Sequence, residues 1–338
     1  MSNEHIRPVT IAIVGTNWIS GEMAEAFRLA GERNAPYQVT AIVSRSQEKG
    51  RAFAESIGCP DALIYPTAEA LAAQTNRPEA AYIATPNSLH VPQTKALLAA
   101  GFHVLCEKPM VLSPQEWEEV HSLAAAENRI LMEAIMYLHT PERQVIRQAL
   151  DTIAPLQSAT LEFLQYSSRI EAFYKGSIAS VFDPAYGGGA RNDLGIYCVY
   201  PAADWLGEPL PDTVRARDTL LPNGADGAGE VQMSFTACPE VKLCWSKTRQ
   251  SDAPSVLRGS NGELRIGHIS QVQEVYLTAK AQTGRLDTPR SKAAVMAEEA
   301  VAFHRYVAGG EVLVSYAQAS ALSRKAHQLM QRIREKAL

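Results

Sequence analysis

The segment from Gly15 to Ser20 lies between an apolar run and a helical pattern. A glycine at the end of a buried strand lets the chain turn sharply, and the first amides of the following helix then face an anionic group. Such a turn binds the pyrophosphate of a dinucleotide; the alternative is an ordinary βα turn without a ligand. Asn17 and Ser20 replace two glycines of the usual G-x-G-x-x-G pattern, and asparagine tolerates positive φ well. We predict that the residues contacting this cofactor are Gly15, Thr16, Asn17, Trp18 and Ile19.

The residues after the second predicted strand indicate which nicotinamide cofactor is bound. NAD-specific sites often place an acid there to accept a hydrogen bond from the ribose 2′-hydroxyl. Here the chain reads Ser44-Arg45-Ser46, and a guanidinium with two hydroxyls suits a 2′-phosphate. We therefore predict NADP as the favoured cofactor and NAD as the alternative, with contacts from Ser44 and Arg45. A solvated surface arginine is the competing interpretation of Arg45.

A lysine stands at the end of another predicted strand. Residues 103–106 read as a strand, and Glu107-Lys108-Pro109 follows it. The carboxyl ends of parallel strands form the crevice in which open α/β sheets bind ligands. Pro109 restricts Lys108 towards an extended conformation, which helps to aim its side chain. The position favours a functional role for Lys108, whereas a Lys-Pro pair alone is typical of loops.

The elements that must position these groups follow two patterns along the chain. Through residue 135, short apolar or β-branched runs alternate with segments of helical periodicity. This alternation predicts an α/β fold, with a Rossmann-type, doubly wound parallel sheet over residues 1–135 as the dinucleotide-binding domain.

Residues 136–338 carry the second pattern. Strand-like segments follow one another between residues 158 and 279 with few helices, Asn261-Gly262 is a hairpin signal, and residues 222–229 predict an exposed loop. Helical periodicity returns near residue 291 and continues to residue 336. We predict that residues 136–338 form an α+β domain for substrate binding and oligomerisation. It has a large, mainly antiparallel open sheet, and its C-terminal helices can pack back on the first domain.

Four passages, taken together, resemble one protein family. They are the Gly15 turn, the segment Ala84-Thr-Pro-Asn-Ser-Leu-His90, the Glu107-Lys108-Pro109 motif, and the glycine-rich passage from Gly187 to Tyr197. In order and spacing the chain resembles the Gfo/Idh/MocA family of NAD(P)-dependent oxidoreductases, in its glucose–fructose oxidoreductase and dihydrodiol dehydrogenase branch. The resemblance implies further cofactor contacts from Thr85, Pro86, Asn87, His90, Glu107 and Lys108.

The glycine-rich passage ends in Asp193-x-Gly195-x-Tyr197, where many family members carry a histidine instead of this tyrosine. The resemblance implies that Lys108, Tyr197 and Asp193 are catalytic. If Asp193 begins a helix, its four-residue spacing from Tyr197 places both on one face; a structural tyrosine is the alternative. Family members also place substrate-facing groups after the first strand of the second domain. We predict substrate binding by Tyr166, Arg169 and Asp193.

Tyrosine and lysine together suit the proton transfer that accompanies hydride transfer at a carbinol carbon. Their free pKa values of about 10 and about 10.4 make each a poor base at neutral pH, and a neighbouring ammonium stabilises a phenolate. We predict that Tyr197 exchanges the proton while Lys108 polarises the substrate oxygen; the reverse assignment stays open.

The predicted reaction moves a hydride between nicotinamide and a carbinol or carbonyl carbon of a sugar, polyol or cyclic diol. The alternative is a catalytically inactive, dinucleotide-binding regulatory or scaffold protein, because a fold alone does not guarantee activity.

Composition argues against several classes of binding partner. A formal net charge of −4 over 338 residues, without a basic arm, argues against nucleic acid and anionic membranes. No apolar run reaches the roughly 20 residues of a membrane span. Five cysteines without a C-x-x-C pair fit reduced thiols, and the histidines lack metal-ligand spacing. We predict a cytoplasmic homodimer or homotetramer that associates through the C-terminal sheet, a small hydroxylated substrate and no metal.

Overall fold

The computed structural model describes residues 7–337, which form two compact units. The first unit comprises residues 7–111, 115–140 and 290–319. Its sheet has six parallel strands in the order β3-β2-β1-β4-β5-β6. These strands are β1 Val9–Val14, β2 Tyr37–Val43, β3 Leu63–Tyr65, β4 Ala80–Ile83, β5 His103–Glu107 and β6 Leu131–Ala134. The central strand β4 is buried throughout, as expected for a parallel strand covered on both faces.

Helices connect these strands, and polar side chains define where several of them begin. Asn17, Ser46 and Thr67 each accept a hydrogen bond from an amide three residues on, which supplies the N-cap of α1, α2 and α3 in turn. The helices are α1 Trp18–Gly31, α2 Gln47–Ser56, α3 Ala68–Ala72, α4 His90–Ala99 and α5 Pro114–Ala126, with 3₁₀ turns at Asn87–Leu89 and Met136–His139.

A late segment of the chain belongs to the first unit. Helix α9 (Lys292–Ala308) packs along α1 and contacts β1. Arg33 forms an ion pair of 2.7 Å with Glu298. The Tyr37 hydroxyl donates to the Ala300 carbonyl at 2.6 Å. Residues 290–319 therefore complete the first unit, and residues 141–289 separate them in sequence from its sheet.

The second unit comprises residues 112–114, 141–289 and 320–337. Its sheet has eight strands in the order β14-β13-β12-β11-β7-β10-β9-β8. Only the β7–β10 pair is parallel among the described strands of this sheet. The strands are β7 Leu156–Leu164, β8 Arg215–Leu220, β9 Asp226–Met233, β10 Glu240–Ser246, β11 Ser255–Gly259, β12 Gly262–His268, β13 Gln273–Ala279 and β14 Thr283–Arg285.

Alternation along these strands gives the sheet one apolar and one polar face. On β10, Val241, Leu243 and Trp245 are buried, whereas Lys242 faces the other way and pairs with Glu230 at 2.7 Å. Helices α6 and α8 pack against strands of this sheet. The remaining elements are α6 Glu142–Ile153, α7 Ile170–Tyr174, α8 Ile196–Trp205 and α10 Tyr316–Lys336, with 3₁₀ turns at Ser180–Phe182 and Pro184–Tyr186 and a π-helical turn at Arg191–Gly195.

The two sheets confirm the predicted fold class. The order of the parallel sheet is that of a doubly wound Rossmann fold. The hairpin predicted around Asn261 joins β11 to β12, which pair from Gly259 and Gly262 outwards. The predicted loop at residues 222–229 is wrong in its second half, because β9 begins at Asp226 and Ala228 is buried. No helix among residues 7–337 is long and apolar enough to cross a membrane.

Candidate active site

The turn after β1 requires a glycine. Gly15 has a φ of +102°, and a Cβ added there would lie 2.7 Å from the Ala84 carbonyl oxygen. Its amide donates to the Val43 carbonyl at 3.0 Å. The ends of β1, β2 and β4 therefore meet at Gly15, and any side chain would force them apart.

Asn17 does not use the positive φ that its position in the motif suggested. Its φ is −94° and its ψ is 179°, because it is the N-cap of α1 and a cap residue needs extended geometry. The side-chain oxygen accepts from the Ser20 amide at 3.1 Å, and the side-chain nitrogen donates to the Ala84 carbonyl at 2.6 Å. Ser20 is fully buried, as close helix–strand packing requires. Asn17 thus fixes the start of α1 to the end of β4.

This turn fits the diphosphate of a dinucleotide. The amides of Trp18 and Ile19 lie in the first turn of a 14-residue helix, where no intrahelical acceptor exists for them. Trp18 is 61% exposed, and Gly15 leaves no side chain between the turn and a ligand. The predicted residues Gly15 to Ile19 are therefore arranged as an anion site at a helix N-terminus.

The segment after β2 contains an exposed cation, Arg45, that can bind an anionic ligand. Arg45 is exposed and forms no hydrogen bond or ion pair with any residue of the range 7–337. The Ser44 hydroxyl donates to the Ser46 carbonyl at 2.9 Å, and the Ser46 hydroxyl accepts from the Lys49 amide. Both hydroxyls thus serve the local turn and the start of α2, whereas the guanidinium of Arg45 can bind an anion.

The loop after β4 contains four of the predicted cofactor residues. Thr85 donates through its hydroxyl to Gln93 at 2.6 Å, and Pro86 and Asn87 lead into the 3₁₀ turn. His90 is 1% exposed, and both of its ring nitrogens lie 2.8 Å from backbone carbonyl oxygens, of Pro109 and Thr85. His90 therefore contacts the protein itself through both ring nitrogens.

Glu107 and Lys108 end the next strand, β5. The Tyr82 hydroxyl donates to Glu107 at 2.7 Å. Burial raises the pKa of Glu107, and the positive charge of Lys108 opposes that rise. Lys108 is half-buried. The predicted cofactor residues thus lie at the carboxyl ends of β1, β2, β4 and β5, at one edge of the parallel sheet.

Helix α9 adds two charged residues that the sequence did not single out. The Lys292 ammonium lies 4.1 Å from the centroid of the Trp18 ring. Burial lowers the pKa of Lys292, while the charge of Glu107 raises it. Glu299 is buried, and its Oε2 has no hydrogen-bond partner among the described residues. Burial raises the pKa of Glu299 well above its usual range, and Glu107 adds to the effect. These two residues follow the Gly15 turn by more than 270 positions, so no local motif connects them to it.

In the second unit, Asp193 lies inside a π-helical turn (Arg191–Gly195) rather than at the start of an α-helix. The helix start predicted at Asp193 is therefore wrong, because the π-helical turn begins two residues earlier and continues into α8 at Ile196. Asp193 forms an ion pair with Lys247, a residue that belongs to none of the sequence motifs. Lys247 is 5% exposed, and its ammonium also lies 5.6 Å from the centroid of the Phe182 ring.

Packing against β10 and β7 explains the rest of the Asp193-x-Gly195-x-Tyr197 motif. A Cβ on Gly195 would lie 2.8 Å from the Trp245 ring, so glycine allows the π turn to contact β10. The Tyr197 ring packs edge-on against Phe163 of β7, with centroids 5.7 Å apart. Tyr197 and Asp193 are both half-buried. The motif is thus held on the sheet by one ion pair and two ring contacts.

The two other predicted substrate residues follow β7 and are exposed. The Tyr166 hydroxyl donates to Glu171 at 2.6 Å, and this hydrogen bond raises the pKa of Tyr166. Arg169 immediately precedes α7. Both residues lie in the same unit as Asp193.

Comparison with known proteins decides the family. A family model described as an oxidoreductase family with an NAD-binding Rossmann fold matches residues 9–135. Over 279 residues the chain is 34% identical to scyllo-inositol 2-dehydrogenase (NADP(+)) IolU of Bacillus subtilis, which covers 82% of this chain and 81% of that protein. The chain belongs to the Gfo/Idh/MocA family. The predicted family, and with it an NAD(P)-binding oxidoreductase, is confirmed.

Other relatives of this Gfo/Idh/MocA protein include mouse trans-1,2-dihydrobenzene-1,2-diol dehydrogenase, 33% identical over 72% of this chain and 68% of that protein. Among solved structures, KijD10, a 3-ketoreductase from Actinomadura kijaniata in complex with NADP and TDP-benzene, aligns with a TM-score of 0.82. The alignment covers 98% of both chains at 22% sequence identity, and this likeness shows the fold alone.

Proposed function

We propose that the protein is an NADP-dependent dehydrogenase that acts on a carbon bearing a hydroxyl group in a sugar, polyol or cyclic diol. The observation that carries the proposal is the position of Lys108, which follows β5 at the sheet edge where the Gly15 turn fits a dinucleotide. Relatives named for an inositol and for a dihydrobenzenediol support this class of substrate.

The proposed chemistry assigns one task to each polar group. Bound nicotinamide accepts or donates the hydride. Lys108 polarises the substrate oxygen, Tyr197 exchanges the hydroxyl proton, and Asp193 positions either the substrate hydroxyl or Lys108. In the competing form of this proposal, Lys108 exchanges the proton and Tyr197 polarises the substrate oxygen. Tyr166 and Arg169 are proposed to bind the remaining substituents of the substrate.

A coupled absorbance assay tests the substrate class. The enzyme is incubated with NADP⁺ or NAD⁺ and one of scyllo-inositol, myo-inositol, D-xylose, D-glucose or trans-1,2-dihydrobenzenediol, and reduced nicotinamide is measured. We expect turnover with at least one of these compounds and faster turnover with NADP⁺. Cofactor binding without turnover across the whole panel contradicts the proposal and supports a dinucleotide-binding scaffold.

Arg45 provides the prediction for cofactor preference. Replacing Arg45 by alanine removes the exposed, unpaired guanidinium after β2, and a charge-assisted hydrogen bond contributes about 1.5–3 kcal/mol. We expect the dissociation constant for NADPH to rise by about 10–100-fold. The constant for NADH stays unchanged, because NADH carries no 2′-phosphate. Fluorescence titration of both cofactors measures the change.

Lys49 provides the matched control for Arg45. It is an exposed cation two residues into α2, and Lys49→Ala is expected to leave both dissociation constants at the wild-type values. Equal weakening of NADPH and NADH binding in Arg45→Ala overturns the assignment of the 2′-phosphate to this residue.

Lys247 provides the prediction for the substrate end. Replacing Lys247 by methionine keeps most of the side-chain volume but leaves Asp193 without its buried cation. We expect kcat/KM to fall by about 10–100-fold, since hydrogen bonds to charged groups contribute about 1.5–3 kcal/mol. The dissociation constant for NADPH stays unchanged, because the predicted cofactor residues all belong to the first unit. Steady-state kinetics and cofactor titration separate the two effects.

Lys242→Met is the matched control, because Lys242 lies on the same strand and pairs with Glu230 on the polar face of the sheet. It is expected to leave kcat/KM unchanged. Lys247→Arg retains the charge and is expected to recover part of the loss. An unchanged kcat/KM in Lys247→Met removes the proposed role of the ion pair.

We also propose that the enzyme is a cytoplasmic homodimer or homotetramer that associates through the sheet of the second unit. The polar face of that sheet carries both signs of charge, including the pairs Lys242–Glu230 and Arg265–Glu263. Complementary charges of this kind favour a defined register between two copies. Light scattering after size-exclusion chromatography measures the mass, and a monomer at micromolar concentration contradicts the proposal.

A further inference from the structure

His90 joins two loops of the cofactor edge. It is the first residue of α4 and is 1% exposed. Its Nδ1 lies 2.8 Å from the carbonyl oxygen of Pro109, directly after Lys108. Its Nε2 lies 2.8 Å from the carbonyl oxygen of Thr85, in the loop after β4. One buried ring therefore spans the two segments that follow neighbouring strands of the sheet.

The chemistry of imidazole limits what these two contacts can be. Carbonyl oxygens only accept hydrogen bonds, and a neutral ring has one N–H and one lone pair. A neutral His90 therefore donates to one carbonyl and turns a lone pair towards the other. A protonated ring donates to both.

The groups around His90 decide its charge near neutral pH. Burial lowers the pKa of His90 and is the largest effect; the two carbonyls and the Glu133 carboxylate on β6 raise it, and the Lys108 ammonium lowers it. Glu133 also accepts from the Met110 amide at 2.9 Å. The net shift is downward, so the ring is neutral at pH 7 and gains its second N–H only in acid.

At neutral pH the single N–H of His90 can donate to only one of the two carbonyls. The contact with Pro109 is fully buried, whereas the contact with Thr85 is partly exposed. An unsatisfied acceptor costs more free energy where water cannot reach it. The proton therefore lies on Nδ1, which donates a hydrogen bond to the Pro109 carbonyl in the loop that contains Lys108.

We propose that His90 is a positioning residue that holds the Lys108 loop through a hydrogen bond from Nδ1–H to the Pro109 carbonyl. In acid, Nε2–H adds a second hydrogen bond, to the Thr85 carbonyl, and ties both loops together. The role of Lys108 rests on the proposed function, whereas the hydrogen bond itself does not.

The first measurement uses the ligand-free wild-type enzyme, so it does not depend on turnover. In ¹⁵N-labelled protein at pH 7.5, His90 is expected to give one slowly exchanging N–H signal, assigned to Nδ1 and absent from His90→Asn. Lowering the pH well below the ordinary histidine pKa is expected to add a second slowly exchanging signal, from Nε2. A proton on Nε2 alone at pH 7.5, or the absence of any protected ring N–H, overturns the proposal.

The second measurement compares three variants. Asparagine places an amide near the position of Nδ1, glutamine reaches the position of Nε2, and phenylalanine has no donor. We expect His90→Phe and His90→Gln to lower kcat by about 10–100-fold, because a misplaced functional group loses rate steeply. His90→Asn is expected to lose less kcat than His90→Gln, because its amide can donate to the Pro109 carbonyl.

Thermal unfolding of each variant shows whether it is folded under assay conditions. A folded His90→Phe with wild-type kcat, or equal losses in His90→Asn and His90→Gln, contradicts the positioning role. If the phenylalanine variant does not fold, the wild-type NMR measurement still decides the proposal. An active Tyr197→Phe enzyme with the expected His90 signal would overturn only the proposed function.

Discussion

Replacing Tyr197 by phenylalanine is expected to lower kcat by about 10²–10⁴-fold, because it removes only the hydroxyl that we propose to exchange the substrate proton. The ring contact with Phe163 at 5.7 Å does not involve the hydroxyl, so the packing of α8 on the sheet is retained. NADPH binding is expected to stay at the wild-type level, since the predicted cofactor residues lie in the first unit. Stopped-flow measurement of hydride transfer separates the chemical step from product release.

Lys108→Met distinguishes the two possible assignments of the proton. In one assignment, Tyr197 accepts the proton during substrate oxidation and the Lys108 cation assists it. Removing that cation then moves the rise of the oxidation rate to higher pH, so the rate at neutral pH falls. If Lys108 itself accepts the proton, Lys108→Met abolishes the rise of the oxidation rate with pH, whereas Tyr197→Phe retains it. Tyr276→Phe is the matched control, because Tyr276 is exposed on β13. Near-wild-type hydride transfer in both Tyr197→Phe and Lys108→Met contradicts the enzymatic proposal.

The parallel sheet could be predicted because its signals are local. A buried parallel strand needs a short apolar run, such as Val9–Val14, and a helix start needs a side-chain acceptor such as Ser46. Each signal lies within a few residues of the element it defines. The right-handed connections of the fold then limit the strand orders that are possible.

The predicted loop at residues 222–229 shows where a local signal misleads. Gly229, the last residue of that predicted loop, is part of β9 and faces the Trp245 indole, where a Cβ would lie 2.4 Å from Nε1. Gly195 contacts the other part of the same ring. The glycines are needed because a large side chain lies between two backbones, and sequence order does not reveal such a neighbour.

The missed site residues share one property: their partners are distant in sequence. Lys247 pairs with Asp193, and Lys292 lies over Trp18. Neither lysine belongs to a motif, and each follows its partner by more than fifty positions. The positive φ suggested for Asn17 was wrong for a related reason, since its side chain caps α1 and donates to the Ala84 carbonyl after β4. Pairings of this kind become visible only once the strands are placed side by side.

Replacing Gly15 by alanine is expected to raise the dissociation constant for NADPH by at least about 100-fold and to destabilise the first unit. A residue with a side chain at φ +102° is strained by about 1–3 kcal/mol, and the new Cβ would lie 2.7 Å from the Ala84 carbonyl. Relief of that contact moves the turn away from β4 and displaces the first amides of α1, which we propose to bind the diphosphate. Fluorescence titration and thermal unfolding measure the two effects.

Gly21→Ala is the matched control within the same helix. Gly21 lies inside α1 without a positive φ, and an added Cβ there meets no atom within 4 Å. Alanine at this position is expected to stabilise the helix by up to about 1 kcal/mol and to leave NADPH binding unchanged. The same chemical change thus has opposite effects six residues apart, because only Gly15 lies where the ends of β1, β2 and β4 meet before the start of α1. Wild-type NADPH affinity in a folded Gly15→Ala enzyme would place the diphosphate elsewhere.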